Sequence, residues 1–301
     1  MGFDVAVVQL LCCAKSIGVD FAETITIGRQ TINEDPVGFA SALTAVGISK
    51  DVQNIRQGEF AEPLLNLLGA KEVCSLDASN YEQATYVCDL NEPCPPHLNQ
   101  KFSLVIDGGT LEHVFNLPQA LKNCMAMVRV GGHFVQVTAA NNFMGHGFWQ
   151  FSPEAIYRVF SKENGFAVRA LFLREDHAGG AWYKVADPAT CGGRVQLINY
   201  RPTYICTIAT RLAEGRVFAA WPQQSDYVEK WKQTEVAQNS VTARKRVSYS
   251  IREMTPRPLK KLVRAGIRKA RGSLGKKSMP FDRSYYSYVS ETDLVHGRLG
   301  S

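Results

Sequence analysis

The chain has 301 residues, 45% of them hydrophobic, and a formal net charge of +6. That length can bury a large core in an ordinary soluble α/β domain with appendages. No apolar run approaches the roughly 20 residues of a helical membrane span, which excludes a helical membrane protein. The eight cysteines form no CxxC pair and have no histidines grouped with them at ligand spacing. They read as buried thiols of a reducing compartment rather than as a metal cluster.

In chain order, the apolar stretch Val5–Ala14 is short and has no basic residue ahead of it, so it reads as a packing helix rather than a leader. Residue 6 is Ala, which breaks the myristoylation pattern after Met1-Gly2. Thr24–Ile27 is β-rich and ends at Gly28. Helices are predicted over Phe39–Val46 and Ala61–Leu68. Two short strands follow, Glu72–Leu76 ending at Asp77 and Ala84–Cys88 ending at Asp89. Pro93, Pro95 and Pro96 then enforce a loop. Phe102–Asp107 is an apolar run that ends on an acid, as a strand buried on both faces does. Pro118–Val128 has apolar residues at helical spacing and a Pro in its first turn. Gly131-Gly132 is expected to stop that helix before a strand at His133–Val137.

A helix over Ala155–Phe160, capped by Ser152, precedes strands at Phe166–Leu173 and Tyr204–Ala209. Asp176–Arg194 reads as a surface excursion between those strands. Alternating strands and helices of this kind predict a doubly wound, mostly parallel α/β sheet. Residues 1–22 form the packing helix, 23–215 the α/β domain and 216–301 a basic C-terminal extension. Within that extension, basic residues between Arg244 and Arg283 far outnumber the two acids, Glu253 and Asp282. Leu259–Arg271 reads as a basic amphipathic helix, suited to packing on its own domain or to an anionic membrane surface. It carries no aromatic-interleaved motif for specific nucleic-acid binding.

Ligands of doubly wound sheets bind beyond the carboxyl ends of the strands. Asp77, Asp89 and Asp107 end successive strands there. A carboxylate so placed can accept hydrogen bonds from both hydroxyls of a ribose, so the three acids suggest a nucleoside pocket. The bland alternative is that they only begin loops.

LVIDGGTLEHVFNLPQAL followed by MVRVGGHFVQVT resembles the strand, turn, helix and second strand of class I S-adenosylmethionine-dependent methyltransferases of the ubiquinone-biosynthesis type. SLDASNYEQATYVCDLNEP resembles the acidic strand end and the following acidic motif of the same families. The resemblance covers roughly residues 69–165. It implies a Rossmann-like methyltransferase fold with seven strands, and S-adenosylmethionine as cofactor. By it, Asp77 matches the ribose-binding acid and Asp89 the residue beside the adenine. Asp107, Gly108 and Gly109 match the turn lining the methionine end, and Glu112 and His113 follow on the rim. Those families carry a glycine-rich loop after the first strand, whereas Gly28 stands alone in TITIGRQTINED. Its distance from Asp77 also exceeds the usual roughly 20 residues. Either Arg29 and Gln30 replace the backbone contacts of that loop, or cofactor binding is weakened or lost.

The loop NNFMGHGFWQFSP mixes the amides of Asn141, Asn142 and Gln150 with His146, Phe148 and Trp149. Amides and aromatic faces suit a polyhydroxylated acceptor, through hydrogen bonds and ring stacking. Asn141, Asn142, Trp149 and Gln150 are therefore expected to bind a sugar or glycan-like acceptor. Transfer to a hydroxyl needs a base near neutral pH, and His146, ahead of His113, is the candidate. For each histidine a purely structural role is the alternative. Asp107, Glu112 and His113 are close in sequence but read as a loop satisfying backbone donors, so no metal is expected. No P-loop and no G-x-S-x-G elbow is present. The expectation is a cytoplasmic O-methyltransferase, at the inner face of a membrane if the 259–271 helix docks there. A methyltransferase-like binding or scaffold protein without catalysis is the alternative.

Overall fold

The computed structural model describes residues 2–34, 36–49, 52–191, 194–241 and 285–300. The basic stretch Leu259–Arg271 lies outside them. Among the described residues, nine strands form one sheet: β1 (Glu23–Ile27), β2 (Glu72–Asp77), β3 (Tyr86–Val87), β4 (Phe102–Asp107), β5 (Val128–Asn141), β6 (Phe166–Glu175), β7 (Trp182–Val185), β8 (Thr203–Arg211) and β9 (Tyr286–Val289). Their spatial order is β3-β2-β1-β4-β5-β8-β6-β7-β9. The pairs from β3 through to β5 are parallel. Those from β5 through β8, β6 and β7 to β9 are antiparallel.

The expected seven-stranded, mostly parallel sheet is thus corrected to nine strands in a mixed sheet. Both additional strands lie where the sequence has weak signals. β7 is four residues long and falls inside the predicted surface excursion. It forms because Trp182 is buried with its ring 5.7 Å from that of Phe172 and its indole N–H donating to Gln9 Oε1 at 3.1 Å. β9 pairs with β7 from within the predicted C-terminal extension.

Helices cover both faces. α1 (Val5–Ser16), α2 (Ala40–Ala45) and α3 (Glu62–Leu67) lie on one, with Leu104, Ile106, Val135 and Val137 from the sheet in the same core. α4 (Leu117–Met127) and α5 (Pro153–Val159) share the other core with Ile25, Ile27, Leu76 and Val105. Alternate residues of β4 thus enter opposite cores, and all six are buried, which is why the strand reads as a continuous apolar run. Ser152 caps α5 as expected, its Oγ accepting from the Ala155 N–H. α4 ends at Met127 without a glycine. Gly131-Gly132 instead sits within β5, where a Cβ on Gly132 would lie 2.9 Å from the Ser103 carbonyl oxygen of the neighbouring strand. Gly132 serves a close backbone approach there and Gly131 a positive φ of +80°, and neither is a helix stop.

α6 (Ser225–Val241) follows the sheet, and α7 (Glu291–Val295) returns to α1. Gln9 Nε2 donates to Glu291 Oε1 at 2.5 Å, and the Ser16 hydroxyl donates to the Val295 carbonyl at 2.5 Å. Leu294 and Val295 complete the core that holds α1. Residues 286–295 are therefore integral to the sheet and its covering layer. Cys12, Cys13, Cys74, Cys124 and Cys206 are buried thiols. Among the described residues no helix is long and apolar enough to cross a membrane.

One buried cation holds the α4–β5 junction. The Arg211 guanidinium donates to the carbonyls of Met125, Ala126 and Val128, the last at 2.6 Å. Arg211→Ala would leave these carbonyls without that donor, and a loss of about 2–4 kcal/mol is expected. Urea unfolding measures it; an unchanged midpoint would show that the contacts contribute nothing.

Candidate functional site

The strand order reverses between β1 and β4, since β2 and β3 extend the sheet one way and β5 the other. Crevices at such switch points are where doubly wound sheets take ligands. Gly28 follows β1 there with φ +71°, a conformation that favours glycine, and donates its N–H to the Leu76 carbonyl at 2.7 Å. A Cβ on Gly28 would lie 2.9 Å from Thr110 Oγ1, 3.2 Å from Gln30 Nε2 and 4.0 Å from Asp77 Oδ2. The bare backbone of Gly28 therefore faces the half-buried carboxylate of Asp77, which ends the adjacent strand. Despite nearly fifty intervening residues, these two predicted positions share one rim.

Other predicted donor-side residues are differently placed. Arg29 turns away: its Nε donates to Glu62 Oε1 at 2.7 Å, its Nη1 to the Glu82 carbonyl at 2.9 Å, and its guanidinium stacks 3.7 Å from the Phe60 ring centroid. It ties three segments together and is not aimed at the crevice. Gln30 is the residue that enters it. Gln30 Nε2 donates to the Ile27 carbonyl at 2.7 Å, while Oε1 is buried without a hydrogen-bond partner among the described residues. A Cβ on Gly108 would meet that oxygen at 2.8 Å and the Phe3 ring at 3.1 Å, so Gly108 is required for their close approach.

Asp89 accepts from the backbone and side-chain nitrogens of Asn91 at 2.9 and 2.8 Å, closing a local turn. These bonds hold its carboxyl below the usual range. Asp107 is fully buried below the rim rather than on it. Its Oδ1 accepts from the N–H groups of Thr110 and Leu111, and its Oδ2 from Gln136 Nε2 at 2.8 Å. Burial, reinforced by the nearby Glu112 carboxylate, pushes its pKa up to about 7. This corrects the reading of Asp107 as a ligand contact: the side chain stays inside because the turn after β4 needs its acceptors.

On the far side of the rim, Glu112, His113 and His146 converge. Glu112 is fully buried, with Oε2 accepting from the Thr138 hydroxyl at 2.8 Å. Burial raises its pKa. Its Oε1 lies 3.5 Å from His146 Nε2, and neither atom makes a hydrogen bond among the described residues. The His113 and His146 rings meet edge to face with centroids 4.8 Å apart. Partial burial and the neighbouring His146 lower the His113 pKa, which keeps its imidazole neutral at pH 7. The loop that delivers His146 is clamped on Glu112 itself. The Glu112 carbonyl accepts from the N–H groups of Phe148 and Trp149, at 2.7 and 3.2 Å. Gly147 passes so close, at φ +70°, that a Cβ there would lie 2.7 Å from the same carbonyl.

The predicted acceptor amides are bound within the fold. Asn141 Nδ2 donates to Asn199 Oδ1 at 2.7 Å. Asn142, at φ +61°, donates to Asn199 Oδ1 and to the Asn199 and Arg201 carbonyls. Gln150 Oε1 accepts from the Phe143 N–H at 3.0 Å. Asn199 in turn donates to Glu175 Oε1 and the Thr203 hydroxyl at 3.0 and 2.7 Å. Sequence reading missed this hub, which carries no motif. Asn199→Ala removes it and is expected to cost about 2–3 kcal/mol and to speed amide hydrogen exchange in residues 141–150. Unchanged exchange there would show that the loop is held by other contacts.

The aromatics remain available. Phe115 and Phe148 are 69% and 65% exposed and meet edge to face at 5.6 Å. Trp149 lies beside Phe115, its indole N–H donating to the Val114 carbonyl at 3.0 Å. Phe115 was not a sequence candidate, although it stands two residues after His113.

Fold and rim together define a doubly wound α/β protein of the Rossmann-like class, with a half-buried strand-end carboxylate, Asp77, and a histidine–carboxylate cluster on its rim. No protein-family model and no curated protein matches the sequence. Among solved structures, the chain is similar to a protein from Bacillus halodurans described as a methyltransferase, at 11% identity and a TM-score of 0.36, over 70% of this chain and 100% of that one. It is similar to the methyltransferase CalH, in complex with SAH, at 14% identity and a TM-score of 0.36, over 67% of this chain and 55% of that one. A third is the 1,6-didemethyltoxoflavin-N1-methyltransferase of Burkholderia thailandensis, at 11% and 0.36, over 70% and 82%. At these scores the likeness carries no function across.

Proposed function

We propose that the chain is an S-adenosylmethionine-dependent methyltransferase acting on a hydroxyl of a ring-shaped acceptor, a sugar being the candidate. The observation that supports it is the pairing of Gly28 with Asp77 across the switch point: a bare backbone turn facing a strand-end carboxylate. Such a pair fits a nucleoside, with the carboxylate accepting from the ribose hydroxyls. In place of a glycine loop, the Gln30 carboxamide, with its unpartnered Oε1, meets the amino-acid end.

When bound, the cofactor supplies an electrophilic methyl group. The residues of the chain do the rest by positioning and proton transfer. The His113–His146 pair takes the hydroxyl proton, and the buried Glu112 carboxylate beside His146 offsets the resulting positive charge. Phe115, Phe148 and Trp149 present ring faces for the acceptor. The amides of Asn141, Asn142 and Gln150 have no part in this reading.

Titration calorimetry with S-adenosylmethionine and S-adenosylhomocysteine tests it. Binding of both is expected. No binding to the folded protein would remove the enzyme reading and leave a methyltransferase-like fold with another ligand.

A further inference from the structure

The Glu112, His113 and His146 side chains carry more than a base. We infer that they form a binding site for one divalent first-row transition cation. One ligand atom from each residue lies within 4.8 Å of the other two. His146 Nε2 and Glu112 Oε1 lie 3.5 Å apart, near the ~3.3 Å that separates two ligands each about 2.0–2.1 Å from a tetrahedral zinc ion. Closing the widest gap, up to 4.8 Å, takes a movement of at most about 1.5 Å in His113, the most exposed of the three.

Two independent features point to a cation rather than to a chance meeting. Glu112 Oε1 and His146 Nε2 are both buried from solvent without a hydrogen-bond partner among the described residues, and they face each other. An unpaired carboxylate oxygen in a fully buried side chain is costly unless a cation or donor compensates it. Secondly, the group is held as a ligand set is held. Thr138 fixes the other Glu112 oxygen, and the Gly147 turn and the two N–H bonds to the Glu112 carbonyl lock the His146 loop against it. Two imidazoles and one carboxylate suit zinc, iron, cobalt or manganese, with further positions left open for water or a ligand oxygen.

The same nitrogens cannot both hold a cation and take a proton, so cation binding competes with protonation of the pair. Cation binding does not rest on the methyltransferase reading, and it is measured without a methyl donor.

The full chain is stripped with a chelator and titrated with cobalt(II) while its visible absorption is recorded. One equivalent is expected to bind, with the intense bands of low-symmetry coordination. His146→Ala and His113→Ala, each checked for native circular dichroism, are expected to abolish those bands. His177→Ala is expected to keep them, because the Glu175–His177 pair at 3.6 Å belongs to no such three-residue group among the described residues. Absence of the bands in the folded wild-type chain, or their survival in both His113 and His146 variants, overturns the inference. Calorimetry with S-adenosylhomocysteine on the metal-free chain then tests the methyltransferase reading separately.

Discussion

Asp77→Ala is expected to lower the affinity for S-adenosylhomocysteine by roughly 100-fold or more, while leaving the unfolding midpoint nearly unchanged. A carboxylate that accepts from two ribose hydroxyls contributes about 1.5–3 kcal/mol per bond, and removing it forfeits both. Stability is little affected because the one bond that Asp77 Oδ1 makes within the fold, from the Ser79 N–H at 3.0 Å, lies in an exposed turn. Calorimetry on wild-type and variant chains gives the comparison. Equal affinities would place the nucleoside elsewhere and dissolve the pairing of Gly28 with Asp77 as a binding device. Gly28 itself is a poorer probe, because its positive φ makes any side chain there strain the backbone as well as fill the crevice.

Asp107→Asn is expected to raise stability at pH 8 by about 2–4 kcal/mol and to flatten the pH dependence between about 4 and 7. The sign follows from burial. In the folded chain Asp107 keeps its proton up to about pH 7, whereas its ordinary value is 3.8. Between those values the folded state binds more protons than the unfolded one, so stability falls as pH rises and then levels off. Asparagine cannot ionise, and its Oδ1 still accepts from Thr110 and Leu111. Gln136, whose Oε1 is otherwise unpartnered among the described residues, can turn to accept from the new amide. Glu112 and Asp4, also raised by burial, contribute in the same direction and remain. Urea unfolding of metal-free protein from pH 4 to 8 measures the difference. Parallel pH profiles for the two chains would mean that Asp107 is ionised in the folded state at low pH.

Short-range pattern determined the parallel half of this protein. β1 is a β-rich stretch followed by Gly28, β2 a short strand ending at Asp77, and β4 an apolar run ending at Asp107. α4 has its apolar stripe and α5 its Ser152 cap, all properties of a few adjacent residues. The same locality explains the failures. β7 is a four-residue strand that exists because Phe172 and Gln9 bury Trp182, and β9 exists because β7 offers it an edge. Gln9 lies 173 positions before Trp182, and β9 is separated from β7 by most of the C-terminal third of the chain.

The site divides along the same line. That Asp77, His113 and His146 stand at strand ends follows from where the strands stop. Which atoms point outward was decided by hydrogen bonding after folding. Asp107 turns inward because the Thr110 and Leu111 N–H groups and Gln136 need an acceptor, and Asn141 and Asn142 turn inward because Asn199 lies beneath them. Gln30 instead fills the space where sequence comparison looks for glycines. The meeting of Glu112 with His146 joins residues 34 positions apart, through a loop clamped on one carbonyl oxygen. A sequence states which groups are available at a rim. Burial and competition for hydrogen-bond partners choose which of them remain free to act.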